Sequence, residues 1–433
     1  MATLFSHGGP TVSIDQQEKE RSMRNILGKI IEQLGTVPKR VLLLPPDMSR
    51  FHSDAGNLIQ IIYTYFSPET QIDIMPAIGT HYAMTEEEIR EMYGTEIPLD
   101  CFKEHDWRNE VTVLGEVPPE KIREFSEGAL ELSMEVGVNN ILLEGNYDLI
   151  LSIGQIVPHE VIGMANFTKN VCVGVGGADM INKSHFLGAV YGMEKIMGRI
   201  DTPVRNALDH AFHSFLGGLP VFFIMTVMAK EQDQLVMRGL FCGDKDGEAF
   251  RMAARLSQQV NLDLLDERVD TMVVYLDPSE FKSTWIGNKA VYRTRLVMAD
   301  GGKLIILAPG LKEFGEDPEN DRLIRKYGYR GTPATLEAVK ENEELQKSLG
   351  AAAHLIHGSS EGRFSITYCP GPGVSQAAIE SVGYQYANYD DMIARYNPKR
   401  LQDGWNTMAD GEKVFYVSNP ALGLWALKEH FEG

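Results

Sequence analysis

Short apolar runs alternate with amphipathic segments along most of the chain. Apolar runs that stop at glycine or proline are typical of buried strands, and spacings of three and four between apolar positions are typical of helices. The predicted strands lie in segments 41–46, 71–81, 147–157, 171–177, 219–229, 235–244, 271–277, 303–309 and 364–370. The predicted helices lie in segments 57–66, 85–94, 248–260, 286–299, 318–327 and 335–347.

Two local patterns are more specific than the general alternation. Segment 85–94 reads TEEEIREMYG, in which Thr85 and Glu88 form a capping box and Gly94 suits the far end of a helix. The apolar runs 219–229 and 235–244 follow each other closely. We therefore expect them to pair as neighbouring strands.

Strands separated by helices predict parallel sheets that are covered on both faces. The charged stretch NLDLLDERVD (261–270) separates two such series. We therefore predict an α/β fold of two domains, 1–265 and 266–433, each with a mostly parallel sheet flanked by helices. Ligands of such sheets bind beyond the carboxyl ends of strands, so we expect the active site in the interdomain cleft.

Composition and charge restrict the function classes. Of 433 residues, 43% are apolar and 23% are charged, as in soluble globular proteins, and the net charge is −19. This charge argues against a nucleic-acid partner, which needs clustered lysine and arginine. No apolar run reaches the length of a membrane span, and the N-terminal segment lacks the pattern of a signal peptide.

The cysteines support an intracellular location. Cys101, Cys172, Cys242 and Cys369 are scattered and form no CxxC pair. A disulfide framework or a thiolate zinc site is therefore not expected, and the pattern favours a reducing cytoplasm.

Polar residues that can carry chemistry follow the ends of successive predicted strands. They are Asp47, Arg50, His81, His159 and Lys289. Lys289 follows the predicted strand 271–277 after a loop that contains Trp285. Surface residues without a shared function would have no reason to occur at successive strand ends. Because the carboxyl ends of parallel strands share one edge of a sheet, this pattern indicates a ligand site.

The run from 158 to 185 concentrates further chemistry. His159, Lys169 and His185 supply two imidazoles and a primary amine, which can bind a metal, move a proton and attach a cofactor. The VGVGG stretch (173–177) lacks the G-x-G-x-x-G spacing of a dinucleotide loop, so we interpret it as a tight turn. The chain also contains no P-loop, HExxH or GxSxG motif.

Several ordered motifs resemble those of the lactate racemase family, whose members use a nickel-pincer nucleotide. The resemblance covers most of the chain, and the order and spacing of the motifs make it more specific than any one of them. The motifs are DMSR (47–50), GTH (79–81), PHEVIGMANFTK (158–169), NKSH (182–185) and WIGNKA (285–290).

The resemblance implies a role for each matching residue. His185 would be the protein ligand to nickel, and Lys169 would attach the nucleotide covalently, while Asp47 and Trp285 would contact it. The substrate side of the implied site has four members: Arg50 for the carboxylate, His81 and His159 as the general acid/base pair, and Lys289 to orient the substrate oxygens.

The implied reaction is inversion of C2 in a 2-hydroxy acid. The C2 hydrogen beside a carboxylate is not acidic, so reversible oxidation is the accessible route. A histidine whose pKa lies near neutral pH would take the hydroxyl proton while hydride moves to the cofactor, and a 2-keto acid would form transiently. The expected partners are this small molecule and the separate enzymes that build the cofactor.

Departures from the family pattern point to a changed substrate. After Arg50 the chain reads FHSDAG, which adds His52, Ser53 and Asp54, and Ile286 stands where relatives often carry an amide. A polyhydroxylated acid needs more hydrogen bonds than lactate does. The run TWIGNKAVYRTR also resembles the sugar-acid epimerase-like subgroup, so we expect an aldonate such as gluconate or mannonate.

Three alternatives stay open. A short 2-hydroxy acid such as lactate would need the same residues. A divalent-metal sugar-acid dehydratase would need clustered carboxylates, for which Asp47, Asp54 and Asp179 are the candidates. A noncatalytic protein that binds organic acids would bind such a ligand without inverting it.

Overall fold

The computed structural model describes residues 3–231, 234–421 and 423–431. The chain divides into two compact units. The first unit comprises Met1–Leu187 and Ile196–Asn261, and the second comprises Gly188–Lys195 and Leu262–Gly433. The predicted boundary at 265/266, and the predicted division of cofactor and substrate contacts between the domains, stay predictions.

The strands of the described residues are β1 (Thr3–Gly8), β2 (Arg40–Leu44), β3 (Gln71–Ile74), β4 (Val111–Val117), β5 (Met134–Asn139), β6 (Leu149–Gln155), β7 (Pro158–His159), β8 (Gly163–Met164), β9 (Val221–Glu231), β10 (Gln234–Gly243), β11 (Asp263–Leu265), β12 (Val269–Tyr275), β13 (Met298–Ala308), β14 (Ser365–Pro370), β15 (Gln385–Tyr386), β16 (Gly404–Thr407), β17 (Lys413–Val417) and β18 (Trp425–Leu427).

The α-helices are α1 (Gln16–Leu34), α2 (Ala55–Phe66), α3 (Glu86–Tyr93), α4 (Pro119–Phe125), α5 (Ile141–Glu144), α6 (Thr168–Cys172), α7 (Ala178–Tyr191), α8 (Met193–Ile196), α9 (Pro203–Ala211), α10 (Glu248–Asn261), α11 (Thr284–Gly287), α12 (Lys289–Tyr292), α13 (Pro318–Tyr327), α14 (Thr332–Glu341), α15 (Glu343–Lys347), α16 (Leu349–His357), α17 (Gln376–Ser381) and α18 (Tyr389–Arg395). None of the helices in the described part of the chain combines the length and apolar character that a bilayer span requires.

The first unit is built on a six-stranded sheet of order β1-β10-β9-β6-β2-β3. Strands β9, β6, β2 and β3 run parallel, and the β9–β10 hairpin and β1 add an antiparallel edge. Apolar residues of α1 and α2 pack with those of β2, β3 and β6 in one core, in which Ile26, Ile59 and Leu151 are fully buried. The carboxyl ends of β2, β3 and β6 therefore lie along one edge of the sheet.

The second unit contains a six-stranded sheet of order β15-β14-β13-β12-β17-β16. All neighbours are parallel except β16 and β17. The last described strand, β18, pairs in parallel with β11. The C-terminal segment thus belongs to this unit, and the predicted α/β class with mostly parallel sheets and flanking helices is confirmed.

Several local predictions are also confirmed. The capping box of α3 is complete: Glu88 N–H donates to the Thr85 hydroxyl, and Thr85 N–H donates to the Glu88 carboxylate. The predicted pairing of the two consecutive apolar runs is the antiparallel β9–β10 pair. Cys172, Cys242 and Cys369 are buried free thiols, and Cys101 is half-buried.

The prediction of a strand over 171–177 is wrong. Val171 and Cys172 end helix α6, and a turn follows, in which only Gly176 forms an isolated bridge, to Val138. The segment is apolar because it is buried, and a short buried apolar run has no period that separates strand from helix. A Cβ on Gly176 would lie 2.0 Å from the Cys172 carbonyl oxygen, so the tight turn requires glycine.

Two predicted helices are wrong in part. Over 286–299 the chain forms only the end of α11 and the four-residue helix α12, and β13 begins at Met298. All residues from 290 to 299 are buried, so the segment has no exposed face to create a helical pattern. The predicted helix 335–347 is two helices, because Asn342 adopts an extended conformation between α14 and α15.

Candidate active site

Asp47 and Arg50 lie in the turn that leaves the carboxyl end of β2. Residues Met48–Ser53 form a 3-10 turn, and Arg50 departs from helical geometry with a φ of −118°. Asp47 is buried, whereas Arg50 is exposed. A buried carboxylate and a solvent-facing guanidinium therefore lie three residues apart at the same strand end.

His81 reaches Asp47 from the loop after β3. His81 Nδ1 lies 2.7 Å from Asp47 Oδ2, and the Ser49 hydroxyl donates to the other carboxylate oxygen. Burial raises the pKa of Asp47, but its hydrogen bond with His81, the His81 charge, Ser49 and Arg50 together lower it. Asp47 is thus ionised at neutral pH, so Nδ1 of His81 donates and its Nε2 is left without a proton in the neutral ring.

His159 has the opposite tautomer. It lies in β7, is 5% exposed, and its Nδ1 accepts the Val161 N–H at 3.1 Å. Burial lowers its pKa well below the ordinary value, Glu160 opposes this, and the charges of Lys169, Arg50 and His185 lower it further. The ring is therefore neutral with its proton on Nε2, and at that nitrogen it is a donor.

Lys169 is the second residue of α6 and is half-buried. Burial lowers the pKa of its amine to about 8, with a further lowering by Arg50 and Arg205 and an opposing effect of Glu160. A larger fraction of neutral amine is present at neutral pH than in an ordinary lysine, and the neutral amine is the nucleophilic form.

His185 lies on α7, and its Nδ1 is 2.6 Å from the Ile181 carbonyl oxygen one turn earlier. Because a carbonyl only accepts, Nδ1 carries the proton and Nε2 offers its lone pair. Burial lowers the pKa of His185 to about 4, and the charge of Lys169 contributes in the same direction. A neutral imidazole with its other nitrogen fixed by a backbone carbonyl is the usual form of a histidine metal ligand.

These residues share one electrostatic neighbourhood. Lys169 acts on His159 and on His185, Arg50 acts on His159 and on Lys169, and His81 acts on His185. Such effects are strongest between groups within roughly 10 Å of each other. The first unit therefore brings together six of the residues that the sequence singled out: Asp47, Arg50, His81, His159, Lys169 and His185.

The remaining two candidates belong to the second unit. Trp285 lies in α11 and its ring stacks on that of His354, with ring centroids 4.3 Å apart. His354 contacts the Tyr329 hydroxyl at 3.0 Å, and burial lowers its pKa to about 3. Lys289 starts α12, with its Nζ 4.0 Å from Glu280 and 5.8 Å from the centre of the Phe281 ring. The predicted interdomain cleft stays a prediction.

The extra polar residues after Arg50 have mostly structural partners. Ser53 is fully buried, its hydroxyl accepts the Ala55 N–H, and its carbonyl accepts from Thr226. Asp54 forms an ion pair with Lys19 at 2.5 Å. Only His52 of the added groups is an exposed side chain, and a substrate contact by any of the three stays a prediction.

Two residues near Lys169 escaped the sequence interpretation. Glu160 raises the pKa of His159, Lys169 and His185, and it directly follows a histidine that was singled out. Arg205 is 2% exposed and contacts the segment before Lys169. The only sequence signal for Arg205 is its spacing of four from Asp209 on one helix, which surface ion pairs share.

The family comparison agrees with the sequence resemblance. Residues 10–197 match the family model of the lactate racemase N-terminal domain. This segment is similar to a lactate racemase N-terminal domain. The predicted resemblance to this family is thereby confirmed, and this domain holds all six residues of the shared neighbourhood. No curated protein matches the chain.

Two solved structures share the fold over nearly the whole chain. A Thermotoga maritima protein is similar with a TM-score of 0.79 and 24% identity, covering 98% of this chain and 100% of that one. The lactate racemase apoprotein from Thermoanaerobacterium thermosaccharolyticum is similar with a TM-score of 0.70 and 13% identity, covering 94% and 92%. At these identities the likeness shows the fold.

Proposed function

We propose that this protein is a nickel-pincer nucleotide-dependent racemase or epimerase that inverts C2 of a 2-hydroxy acid. The observation that carries the proposal is the joint placement of the His81–Asp47 pair, His159, Lys169 and His185 within a lactate racemase N-terminal domain.

The residues present fit the implied cofactor. His185 offers Nε2 to a metal while Ile181 holds its other nitrogen, and imidazole suits Ni(II). Lys169 offers an amine whose pKa of about 8 favours covalent attachment. When bound, the nickel-pincer nucleotide supplies a hydride acceptor, which a 2-hydroxy acid needs because its C2 hydrogen is not acidic. Trp285 of the second unit is proposed as a further contact of the nucleotide.

The protein's own residues would handle the proton and the carboxylate. His81 accepts the substrate hydroxyl proton at Nε2, and the ionised Asp47 stabilises the imidazolium that results. His159 is neutral with its proton on Nε2, and from that nitrogen it donates a hydrogen bond to a substrate oxygen. Arg50 grips the substrate carboxylate with its planar guanidinium, and Lys289 is proposed to orient the substrate oxygens.

The substrate we propose is a sugar acid such as gluconate or mannonate. Support comes from the exposed His52 beside Arg50 and from the resemblance of the segment after Ser283 to the sugar-acid epimerase-like subgroup. The three aspartates that a divalent-metal dehydratase would use have other partners: Asp47 contacts His81, Asp54 contacts Lys19 and Asp179 contacts Lys183. These contacts favour the racemase over the dehydratase.

The test is co-production with the cofactor-building enzymes and nickel. Intact mass should show an adduct that Lys169→Ala abolishes, and the loaded protein should interconvert C2 epimers of an aldonate. Inversion of lactate alone would rule out the sugar acid and keep the racemase. A nucleotide-loaded protein that inverts neither lactate nor any aldonate would overturn the proposed function.

A further inference from the structure

Arg205 is a buried cation with an unusual set of partners. It lies on α9, and its side chain is 2% exposed. One terminal nitrogen donates to the Thr168 hydroxyl at 2.8 Å, and the other donates to the carbonyls of Met164 at 2.8 Å and Asn166 at 3.1 Å. A buried guanidinium costs much free energy unless it is paired, so this one is held by its contacts with segment 164–168.

Segment 164–168 is the chain that enters helix α6. Asn166 and Phe167 both have positive φ, 66° and 60°, a conformation that residues other than glycine rarely adopt. Such strain persists only where the surroundings fix it, and it clusters at functional sites. Here the Phe167 ring stacks on Phe250 with centroids 5.0 Å apart, and the Arg205 guanidinium lies 4.5 Å over the Phe250 ring.

Lys169 is held between two anchored neighbours. Before it, Thr168 accepts from Arg205 and donates to Asp209 at 2.5 Å. After it, the Asn170 amide donates to the Leu44 carbonyl at 2.9 Å, at the carboxyl end of β2. The lysine's neighbours are thus fixed to the sheet on one side and to Arg205 and Asp209 on the other, and Arg205 is the cation among these anchors.

We propose that Arg205 is a positioning residue for Lys169: it fixes the strained Asn166–Phe167 turn and places a permanent positive charge beside the amine. The two effects are separable. The hydrogen bonds determine how firmly the turn is held, and the charge favours the neutral amine. The inference rests on the proposed function, in which the Lys169 amine attaches the nucleotide.

Several charged groups surround the amine, and the test must separate Arg205 from them. Arg50 and Arg205 lower the pKa of Lys169, and Glu160 and Asp47 raise it. The histidines that sense the Lys169 charge are His159 and His185. Changing Arg205 alone leaves all of these groups in place.

The experiment uses the full-length apoprotein and two readouts. Hydrogen exchange of peptides over 164–170 reports the turn. The pH midpoint of competitive acetylation of Lys169 by trace acetic anhydride reports the amine, with Lys183 as an internal reference. The variants are Arg205→Lys, which keeps the charge without the planar fork, Arg205→Met, which removes both, and Thr168→Val, which removes one hydrogen-bond partner.

We expect exchange in 164–170 to accelerate about tenfold in Arg205→Lys and Arg205→Met, and less in Thr168→Val. The acetylation midpoint should stay in place in Arg205→Lys and rise in Arg205→Met. Arg251→Met is the matched control, because Arg251 pairs with Asp201 on the surface and should leave both readouts unchanged.

If Arg205→Met does not fold, Arg205→Lys and Thr168→Val still decide the question. Hydrogen exchange at the wild-type rate in both variants would overturn the role of Arg205 in fixing the turn. An unchanged acetylation midpoint in a folded Arg205→Met would overturn its electrostatic effect on Lys169. Neither readout needs the cofactor or turnover. A protein without racemase activity could therefore still confirm the role of Arg205, and an active one could still refute it.

Discussion

Asp47 and His81 are 34 residues apart in the chain, yet their side chains meet at 2.7 Å beyond the ends of two neighbouring strands. Strands β2 and β3 are parallel, and an isolated bridge between Pro46 and Ala77 extends their pairing towards the site. The carboxylate fixes which ring nitrogen of His81 is bare, and so gives the histidine its direction as a base.

Replacing Asp47 by Asn should therefore lower kcat far more than it disturbs the fold. An amide cannot stabilise the imidazolium, and it can donate to Nδ1 and favour the wrong tautomer. We expect a loss of about 10²–10⁴-fold in kcat of the nucleotide-loaded enzyme. Ser49→Ala, which removes only the second partner of the carboxylate, is the control and should lose much less. Equal effects of the two substitutions would contradict the orienting role.

Substitution by glutamine should affect His81 and His159 differently. A glutamine amide can replace the Nε2–H donor of His159 but cannot act as a base in place of His81. We expect His159→Gln to keep at least about tenfold more kcat/KM than His159→Ala, since a hydrogen bond of this kind is worth about 1.4 kcal/mol or more. His81→Gln should be as inactive as His81→Ala. The assignment of tautomers fails if glutamine rescues position 81 and not position 159.

The turn between Lys169 and His185 should not tolerate a side chain. In Gly176→Ala the new Cβ would meet a backbone oxygen at 2.0 Å, which cannot move without shifting helix α6. We expect destabilisation of about 1–3 kcal/mol in urea unfolding of the apoprotein. Gly28→Ala is the matched change in an exposed helical site with no atom within 4 Å, and it should stabilise by about 0.5–1 kcal/mol. The account is contradicted if both substitutions shift stability in the same direction.

Stability should fall with acid partly through His354. Burial lowers its pKa to about 3, below the value of about 6.5 in the unfolded chain, so between those pH values the unfolded state binds a proton that the folded state does not. The contribution of His354 to stability is complete above pH 6.5 and is lost as the pH falls towards 3, at up to about 1.4 kcal/mol per pH unit.

His354→Gln cannot take up this proton. The free energy of unfolding of the apoprotein, measured at pH 7.5 and pH 5, should therefore fall less in the variant than in the wild-type protein. Lys340→Gln on α14 replaces an exposed lysine that is not among the groups shifting the pKa of His354, and it serves as the control. An identical pH dependence in wild type and His354→Gln would show that His354 is not the buried neutral group described above.

Local patterns in the chain were enough to predict the architecture and the sheet edge at which the candidate residues lie. The spacing of apolar residues and the residues that begin or end a helix or strand are local properties of the chain. The capping box of Thr85 and Glu88, the β9–β10 hairpin and most strands could therefore be predicted. Residues after parallel strands converge by topology alone, which is why Asp47, His81 and His159 could be placed at one edge before any coordinates.

The chemical state of each of these groups depends on contacts that form only when the chain is folded. The tautomers of His81 and His159 depend on partners that the folded backbone brings to a particular ring nitrogen. Ser53 and Asp54 bond with Ala55 and Lys19 instead of facing a ligand, and Arg205 reaches a turn nearly forty residues earlier in the chain. Segments buried on all sides, such as 171–177, have no polar face to reveal their conformation. Hydrogen bonds between residues distant in sequence leave no periodic trace, and so the fold alone assigns them.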